Sequence, residues 1–350
     1  MKVAVYFSNT DLRIEERPAP AISEDEILVR MMACGICGTD VMEWYRQQKA
    51  PRVLGHEMAG EVIAAGSRVK DLKKGDRVFV SHHVPCYECH RCRASDYTAC
   101  EALHTGNYEP GGFSEYIRVP AMNVRHGTLL LPANVSFEEA AMIEPLACVV
   151  AGQGRARVES GHTALVIGSG VSGLLHIQMA RLKGAAVFAT DINGYRLDKA
   201  AELIGADHVF HADAYSAGAL KERNNGRLAD RVIVCAGASQ AVRHAVCSVD
   251  RRGTVLFFAV PREDISLPSM GFWRDEITVM FSYGAAPGDL REALSLIEKG
   301  SVDVKRMVTH TVSLSEIQKG FALAAGGSGS LKVVVVPDGP ALMAGGQTGR

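Results

Sequence analysis

Apolar and polar positions follow two different rhythms along the chain. In the first third, short extended runs alternate with turns marked by glycine and proline. Lys2–Phe7, Ile27–Cys34, Glu57–Ala65 and Arg77–Val80 read as strands, with the Pro18/Pro20 segment as a connection and a turn at Lys74–Asp76. Gly111–Val119 turns and becomes a further strand. Short strands split in this way predict a β-rich first domain. At Ser136–Glu139 the spacing fits a capping box, so a helix is expected to begin near Phe137 and run through Met142, Glu144 and Cys148.

The rhythm changes at Thr163. ALVIG is an apolar run with the length of a buried parallel strand, and it passes through a glycine-rich turn into the helical period LLHIQMARLKG. Strand runs then recur at Ala186–Thr190, His208–Phe210, Arg231–Cys235, Thr254–Phe258 and Ile277–Phe281, with helical stretches between them such as Ala241–Ser248. This alternation predicts an α/β unit with a doubly wound sheet and helices on both faces. Asp289–Lys299 is a short helix, a second capping box at Ser313–Glu316 precedes IQKGFALAA, and Leu331–Val336 is an apolar strand, read together as a return to the first domain. The end of the chain, from about 339, reads as a frayed or disordered tail. No internal repeat is visible.

Length and composition narrow the class. A chain of 350 residues suits two domains, each able to bury its own core, and 47% apolar with 22% charged residues is ordinary for a globular protein. With 38 basic and 39 acidic residues, no global field draws it to nucleic acid or an anionic membrane. The N-terminus lacks the apolar core of a signal peptide and no run of about 18 apolar residues suggests a membrane span, so a cytoplasmic location is expected.

Candidate chemistry concentrates in Ala33–Gly60, which supplies Cys37, His56 and Glu57 between glycines that permit tight turns. Thiolate and imidazole favour zinc over magnesium or calcium, and a site with few protein ligands keeps a position open for substrate. Taken singly, Cys37 could be a small buried hydrophobe and His56 a satisfied core histidine; the clustering is what favours metal. Glu144 lies in the apolar stretch AAMIEPLACVVAG, where a carboxylate is costly unless it is paired or binds a metal. It is a candidate zinc ligand from the other side of a cleft, the alternative being a helix-terminal glutamate at the surface. Cys86, Cys89, Cys92 and Cys100 are spaced to converge on one ion and leave no open position, which suits a structural zinc, with a [4Fe–4S] cluster as the rival. His82, His83 and His90 flank that loop and read as solvated. Cys148, Cys235 and Cys247 have no metal-like spacing and read as buried thiols.

The turn Gly168-Ser-Gly170-Val171-Ser172-Gly173 follows a strand, opens a helix and precedes an acidic residue, Asp191, at the end of the next strand. That context makes it a dinucleotide site: the glycines let backbone approach a pyrophosphate, and Asp191 would accept from the ribose hydroxyls and repel a 2′-phosphate. NAD is therefore favoured over NADP. Arg196 could meet a phosphate, although its helical setting suits a solvated charge. Cys235, Ala236 and Ser282, at carboxyl ends of later strands, would approach the cofactor.

The motifs CGICGTD, GHE, the four-cysteine lobe, GGFSEY, IEPL, VIGSGVSG and TDIN together resemble the zinc-dependent medium-chain dehydrogenase/reductase family over nearly the whole chain. The resemblance implies a GroES-like catalytic domain at 1–143 with a structural-zinc lobe at about 82–105, a Rossmann coenzyme domain at 144–285 that includes Ile192 beside Asp191, and a return to the first domain at 286–338. A glutamate in IEPL is similar to the sorbitol, threonine and other polyol dehydrogenases. On that basis Cys37, His56 and Glu144 carry over as zinc positions, Glu57 as a ligand or near-ligand, and Thr39 as the hydroxyl that passes the substrate proton outward. Many relatives have a histidine three residues after this hydroxyl; this chain has Met42, and a thioether carries no proton. The proton would leave through the coenzyme ribose, water or Glu43.

The expected activity is interconversion of a secondary alcohol, such as a polyol, sugar alcohol or cyclitol, free or phosphorylated, and its ketone, with two zinc ions and NAD. Oxidation of an L-threonine-type amino alcohol is the alternative, followed by a zinc- and dinucleotide-binding protein without turnover. Trp44 and Tyr45 are candidates to line the pocket, and Arg274 either binds an anionic group or makes a surface salt bridge. A homo-oligomer, dimer or tetramer, is expected, with the Val255–Phe258 edge as its contact.

Overall fold

The computed structural model describes residues 1–204, 207–327 and 329–339, so the expected disordered tail lies almost wholly outside the described residues. The first part of the chain builds a seven-stranded sheet. Its path runs Val308–Ser313, Lys332–Val336, Ile27–Gly35, Glu57–Ala65, Arg77–Ser81 and Thr128–Leu130, with Tyr116–Val119 also pairing with Ile27–Gly35. The last strand among the described residues therefore sits beside one of the first. Along Ile27–Gly35 the side chains alternate, with Val29, Met31 and Ala33 buried and Arg30 exposed. The alternation stops at Cys34 and Gly35, both buried, where the strand runs into the interior.

A smaller antiparallel sheet pairs Lys2–Ser8 with Asp11–Glu16 and with the short strand Arg52–Val53. Asp11–Glu16 is not marked by the apolar pattern because its sequence, DLRIEE, buries no residue. Register from its neighbour is what makes it a strand.

The coenzyme-type sheet has six strands, all parallel, in the order His208–His211, Ala186–Asp191, Thr163–Ile167, Ala229–Val234, Val249–Phe257 and Thr278–Phe281. Two cores flank it. One gathers Leu174 and Ile177 of the helix Val171–Leu182 with Leu146 and Val149 of Ile143–Arg155 and Leu290 and Ala293 of Pro287–Glu298. The other gathers Leu220, Ala241 and Ala245 against Leu165, Val232 and Val255. The first core also takes in Ala59, Phe79 and Met142, so apolar packing continues from one sheet to the other through Ile143–Arg155.

Two expectations are corrected. The continuous helix from Phe137 is two helices, Phe137–Ala140 and Ile143–Arg155, although the capping box at Ser136 and Glu139 is present. Pro145 has no N–H and fits only the first turn of a helix, so the chain restarts there. The Val255–Phe258 segment is not an edge: Val249–Phe257 lies between two neighbours, and Thr278–Phe281 is the outer strand.

Arg118 fastens Tyr116–Val119 to the strand that leads to Cys37. Its guanidinium donates to both oxygens of Glu26, from Nε at 2.9 Å and Nη2 at 2.7 Å, and this hydrogen bonding holds the Glu26 carboxyl down at about 2 against an ordinary 4.5. The folded value lies below the unfolded one, so the stabilisation is complete above about pH 4.5 and is lost as pH falls toward about 2. Glu26→Gln should unfold at a lower temperature than the parent at pH 7. Thermal unfolding at pH 7, 4 and 3 should show that difference shrinking with pH; a difference independent of pH would contradict this assignment.

Candidate active site

Residues Gly35 and Glu57 face each other in the antiparallel ladder, which sets the geometry of everything around them. A methyl group on Gly35 would collide with the Glu57 carboxylate, so only glycine leaves room for it. Beyond Gly35 the chain turns through Cys37-Gly-Thr-Asp40, closed by the Asp40 N–H on Cys37 O at 3.0 Å and by the Cys37 N–H on Asp40 Oδ2 at 3.1 Å. The turn and the start of Glu57–Ala65 bring Cys37, His56 and Glu57 together, with one ligand atom from each lying within 4.8 Å of the others.

Three details suit this cluster to a metal. The Thr39 N–H points at Cys37 Sγ from 3.5 Å and holds the sulfur in place beside the turn. Asp40, wholly buried, sits 3.5 Å from His56 Nδ1 and leaves Nε2 as the nitrogen available to an ion. Glu57 Oε1 is buried with no hydrogen-bond partner among the described residues. A thiolate, an imidazole and a carboxylate with one oxygen unengaged are a donor set that fits zinc. Burial opposes charge on His56, but Asp40 and Cys37 outweigh it and push its protonation well above the ordinary range. A zinc ion would take the place of that proton.

The other Glu57 oxygen is held by Lys332 Nζ in a buried ion pair, and Lys332 also donates to Ile36 O at 3.2 Å. Burial works against the Lys332 charge, yet Glu57 raises its protonation above the ordinary value. Glu144 does not join the three-residue group. Its Oε1 accepts from Cys148 Sγ at 3.4 Å, and burial raises its carboxyl while the His56 charge pulls it down, so it feels the cluster from the helix Ile143–Arg155.

His82 and His83 depart from their reading as solvated loop residues. The His82 ring lies tilted 5.0 Å from His56 and 3.6 Å from His83, and burial drives the protonation of His82 and His83 downward. His83 continues to Tyr283 at 5.8 Å, and His104 stacks on Tyr283 at 5.0 Å, so the cysteine-bearing lobe meets the end of the coenzyme-type sheet. His90 is exposed. In the lobe, Cys86, Cys89, Cys92 and Cys100 form a second group with ligand atoms within 4.8 Å, and their sulfurs approach to 3.6 Å. Four thiolates around one point fit a closed zinc site. Cys247 is exposed rather than buried. Arg274 pairs with Asp275 at 3.3 Å and is largely exposed, which corrects its candidacy as an anion ligand to a surface salt bridge.

At the glycine-rich turn Gly168 has φ +95, and a side chain on Gly173 would strike Gly168 O, so helix and strand meet only through hydrogen. Val171 and Ser172 open the helix Val171–Leu182, while Cys235 and Ala236 lie against Gly168. Asp191 accepts from the Ser169 N–H at 2.6 Å and the Asn193 N–H at 2.8 Å, clamping the turn to the end of the next strand. Ile192 is 70% exposed beside it. Arg196 is not a solvated charge: its guanidinium packs against Gly170 and Gly327, with Nε buried and without a hydrogen-bond partner among the described residues. Ser282 Oγ is likewise buried without a partner.

Lys332, Asp40 and Arg46 are site residues that the sequence reading does not single out. Lys332 carries the same signal as Glu144, a charge in an otherwise apolar run, KVVVV. Asp40 and Arg46 sit in a polar segment where nothing marks them.

Comparison with known proteins finds relatives over nearly the whole chain. The alcohol dehydrogenase GroES-like domain family model matches residues 23–128, and the zinc-binding dehydrogenase model matches 172–299. Sorbitol dehydrogenase of Bacillus subtilis (strain 168) is 32% identical, over 97% of this chain and 98% of its own length. The crystal structure of galactitol-1-phosphate dehydrogenase from Escherichia coli superposes with a TM-score of 0.86 at 28% identity, covering 96% of this chain and 100% of that one. A zinc-binding dehydrogenase structure from Sinorhizobium meliloti 1021 bound to NADP gives 0.85 at 28% identity, covering 96% and 99%.

Removing Lys332 alone leaves Glu57 charged and buried without its partner. Lys332→Met should cost about 3–5 kcal/mol in urea unfolding, and adding Glu57→Gln should recover most of the loss. A single variant as stable as the parent would contradict the pairing.

Proposed function

We propose that this chain, which belongs to the zinc-dependent medium-chain dehydrogenase/reductase family and is an oxidoreductase of secondary alcohols, interconverts a polyol and its ketone with NAD(H). The observation that carries this reading is the open cluster of Cys37, His56 and Glu57, with its unengaged carboxylate oxygen. A pure binding protein has no use for such a cluster. Glu144 is the fourth candidate ligand, reached from the neighbouring helix. The catalytic unit is 1–143 with 286–338, and the coenzyme unit is 144–285. The two sulfur-bearing groups each take one zinc.

Bound zinc would polarise the substrate oxygen, and the nicotinamide would exchange hydride. The chain's own part is to bind, orient and move a proton. Cys37, His56 and Glu57 would hold the ion. Thr39 Oγ1 gives or takes the proton of the substrate oxygen. Met42 cannot relay it, and the Glu43 carboxylate is held by the Asn9 N–H at 2.9 Å, toward the first hairpin. The proton therefore exits through the coenzyme ribose or water. Gly168–Gly173 receives the pyrophosphate at the helix N-terminus. NAD is preferred because the Asp191 carboxylate stands where a 2′-phosphate would arrive, and Arg196 is tucked against Gly170 rather than extended to meet one.

Tyr45, His83, His104 and Tyr283 wall the substrate side, with Trp44 at the rim. A homo-oligomer is supported by the outer strand Thr278–Phe281 and by Met270 and Trp273, each 81% exposed beside it. Nine unpaired cysteines suit a reducing compartment, hence the cytoplasm, and among the described residues no helix is long and apolar enough to cross a membrane.

The test is the initial rate of NAD⁺ and NADP⁺ reduction with sorbitol, xylitol, galactitol 1-phosphate, 2-propanol and L-threonine. NAD⁺-linked turnover of one or more polyols is expected, falling by at least about a hundredfold in Cys37→Ser. Turnover of L-threonine alone would move the assignment to amino alcohols, and a preference for NADP⁺ would overturn the reading of Asp191.

A further inference from the structure

Arg46 ends the short helix Glu43–Arg46 and folds back over the metal-binding turn. Its Nε donates to Thr39 O at 2.9 Å, and its Nη2 donates to Thr39 Oγ1 at 2.9 Å and lies 3.3 Å from Asp40 Oδ1. The guanidinium is covered on another side by the Tyr45 ring, 5.0 Å away, and its side chain is only 14% exposed. Asp40 in turn reaches His56. One side chain thus joins the hydroxyl, the turn backbone and the carboxylate that orients the histidine.

A guanidinium only donates and never gives up its proton at ordinary pH. A threonine hydroxyl has one proton to give and two lone pairs to receive. With Arg46 on Oγ1, one lone pair is permanently engaged and the hydroxyl proton cannot point toward the guanidinium. A charge-assisted bond of this kind also draws electron density from Oγ1, making its O–H a better donor and its remaining lone pair a poorer acceptor. Where a histidine after the hydroxyl could accept a proton, this chain has Met42 and, filling the polar space next to Thr39, a cation that cannot accept one.

We propose that Arg46 is a positioning residue that biases Thr39 toward donating its hydrogen bond to the substrate oxygen, so that the site holds an oxygen that only accepts, as in a ketone, more firmly than one that carries a proton of its own, as in an alcohol. This rests on the reading that Thr39 faces the reacting oxygen. The chain is accordingly set to hold the ketone form more firmly than a relay-equipped site would. Because the overall equilibrium is fixed, the preference shows in the binding of the two forms and not in the ratio of the two specificity constants.

The test uses probes that do not depend on the natural substrate. Dimethyl sulfoxide offers an oxygen that only accepts, and 2-propanol one that can donate; neither is turned over in the presence of NADH. Dissociation constants for both are measured by NADH fluorescence on the zinc-loaded protein, for the parent, Arg46→Ala and Arg46→Lys, with zinc content and thermal unfolding recorded for each. Arg46→Gln, which keeps bulk and loses charge, serves if Arg46→Ala does not fold. The expected result is that dimethyl sulfoxide weakens about tenfold in Arg46→Ala, the scale of one lost hydrogen bond, while 2-propanol changes less than about twofold and Arg46→Lys lies between. In a Thr39→Val background the same change at Arg46 should have no further effect on the sulfoxide. Equal weakening of both probes would show a merely structural role and overturn the proposal, as would an unchanged sulfoxide constant. Failure of the parent itself to bind the sulfoxide any better than Cys37→Ser would instead remove the alcohol-site reading, and the proposal with it.

Discussion

The ion pair between Lys332 and Glu57 is the constraint on which the rest of the molecule depends. Both side chains are buried, and they lie 275 positions apart in the sequence. Taking two charges out of water is expensive, and the cost is offset only where geometry is good and the remaining polar atoms find partners. Lys332 has Ile36 O as a further acceptor, and Glu57 keeps one oxygen unengaged facing the cysteine and histidine. The pair can form only if Lys332–Val336 lies beside Ile27–Gly35, so it ties the C-terminal return to the metal-binding turn. It also requires glycine at position 35, since any side chain there would take the place of the carboxylate.

From that pair the site can be followed outward as one connected set of contacts. Glu57 adjoins His56, whose Nδ1 meets Asp40; Asp40 meets Arg46; and Arg46 holds Thr39. Most polar groups near the cluster are engaged by another, and those left to turn toward a ligand include one oxygen of Glu57, Nε2 of His56, Sγ of Cys37 and the hydroxyl of Thr39. Pre-organisation of this kind is what lets a small set of residues act on a single substrate oxygen. On the other wall, Asp191 performs the same service for the glycine-rich turn by accepting two backbone N–H groups.

Much of this could be read in the sequence, and the exceptions have physical reasons. The parallel sheet is legible because its central strands each contain an apolar run, ALVI, AVFA, VIV and VLF, and the glycine turn because only glycine permits the helix to approach Gly168 so closely. The cysteine spacing carries its own geometry. Asp11–Glu16 is invisible because an outer strand with little to bury has no apolar signature, and the break at Ala141–Met142 is obscured because Pro145 is tolerated in the first turn of the helix it begins. His82 and His83 look like loop polar residues until the fold brings His56 and Tyr283 against them. Arg46 and Asp40 gain their meaning only from each other, through contacts that no local spacing encodes.

The central claim is that the chain holds two distinct metal centres, one open at Cys37, His56 and Glu57 and one closed at the four cysteines. The most direct measurement is the zinc content per chain by native mass spectrometry of the parent, Cys37→Ser and Cys100→Ser. The account predicts two ions in the parent and one in each variant, with polyol oxidation abolished in the first and the ion at the open site still present in the second. A parent that carries a single zinc, retained in Cys37→Ser and lost in Cys100→Ser, would contradict it.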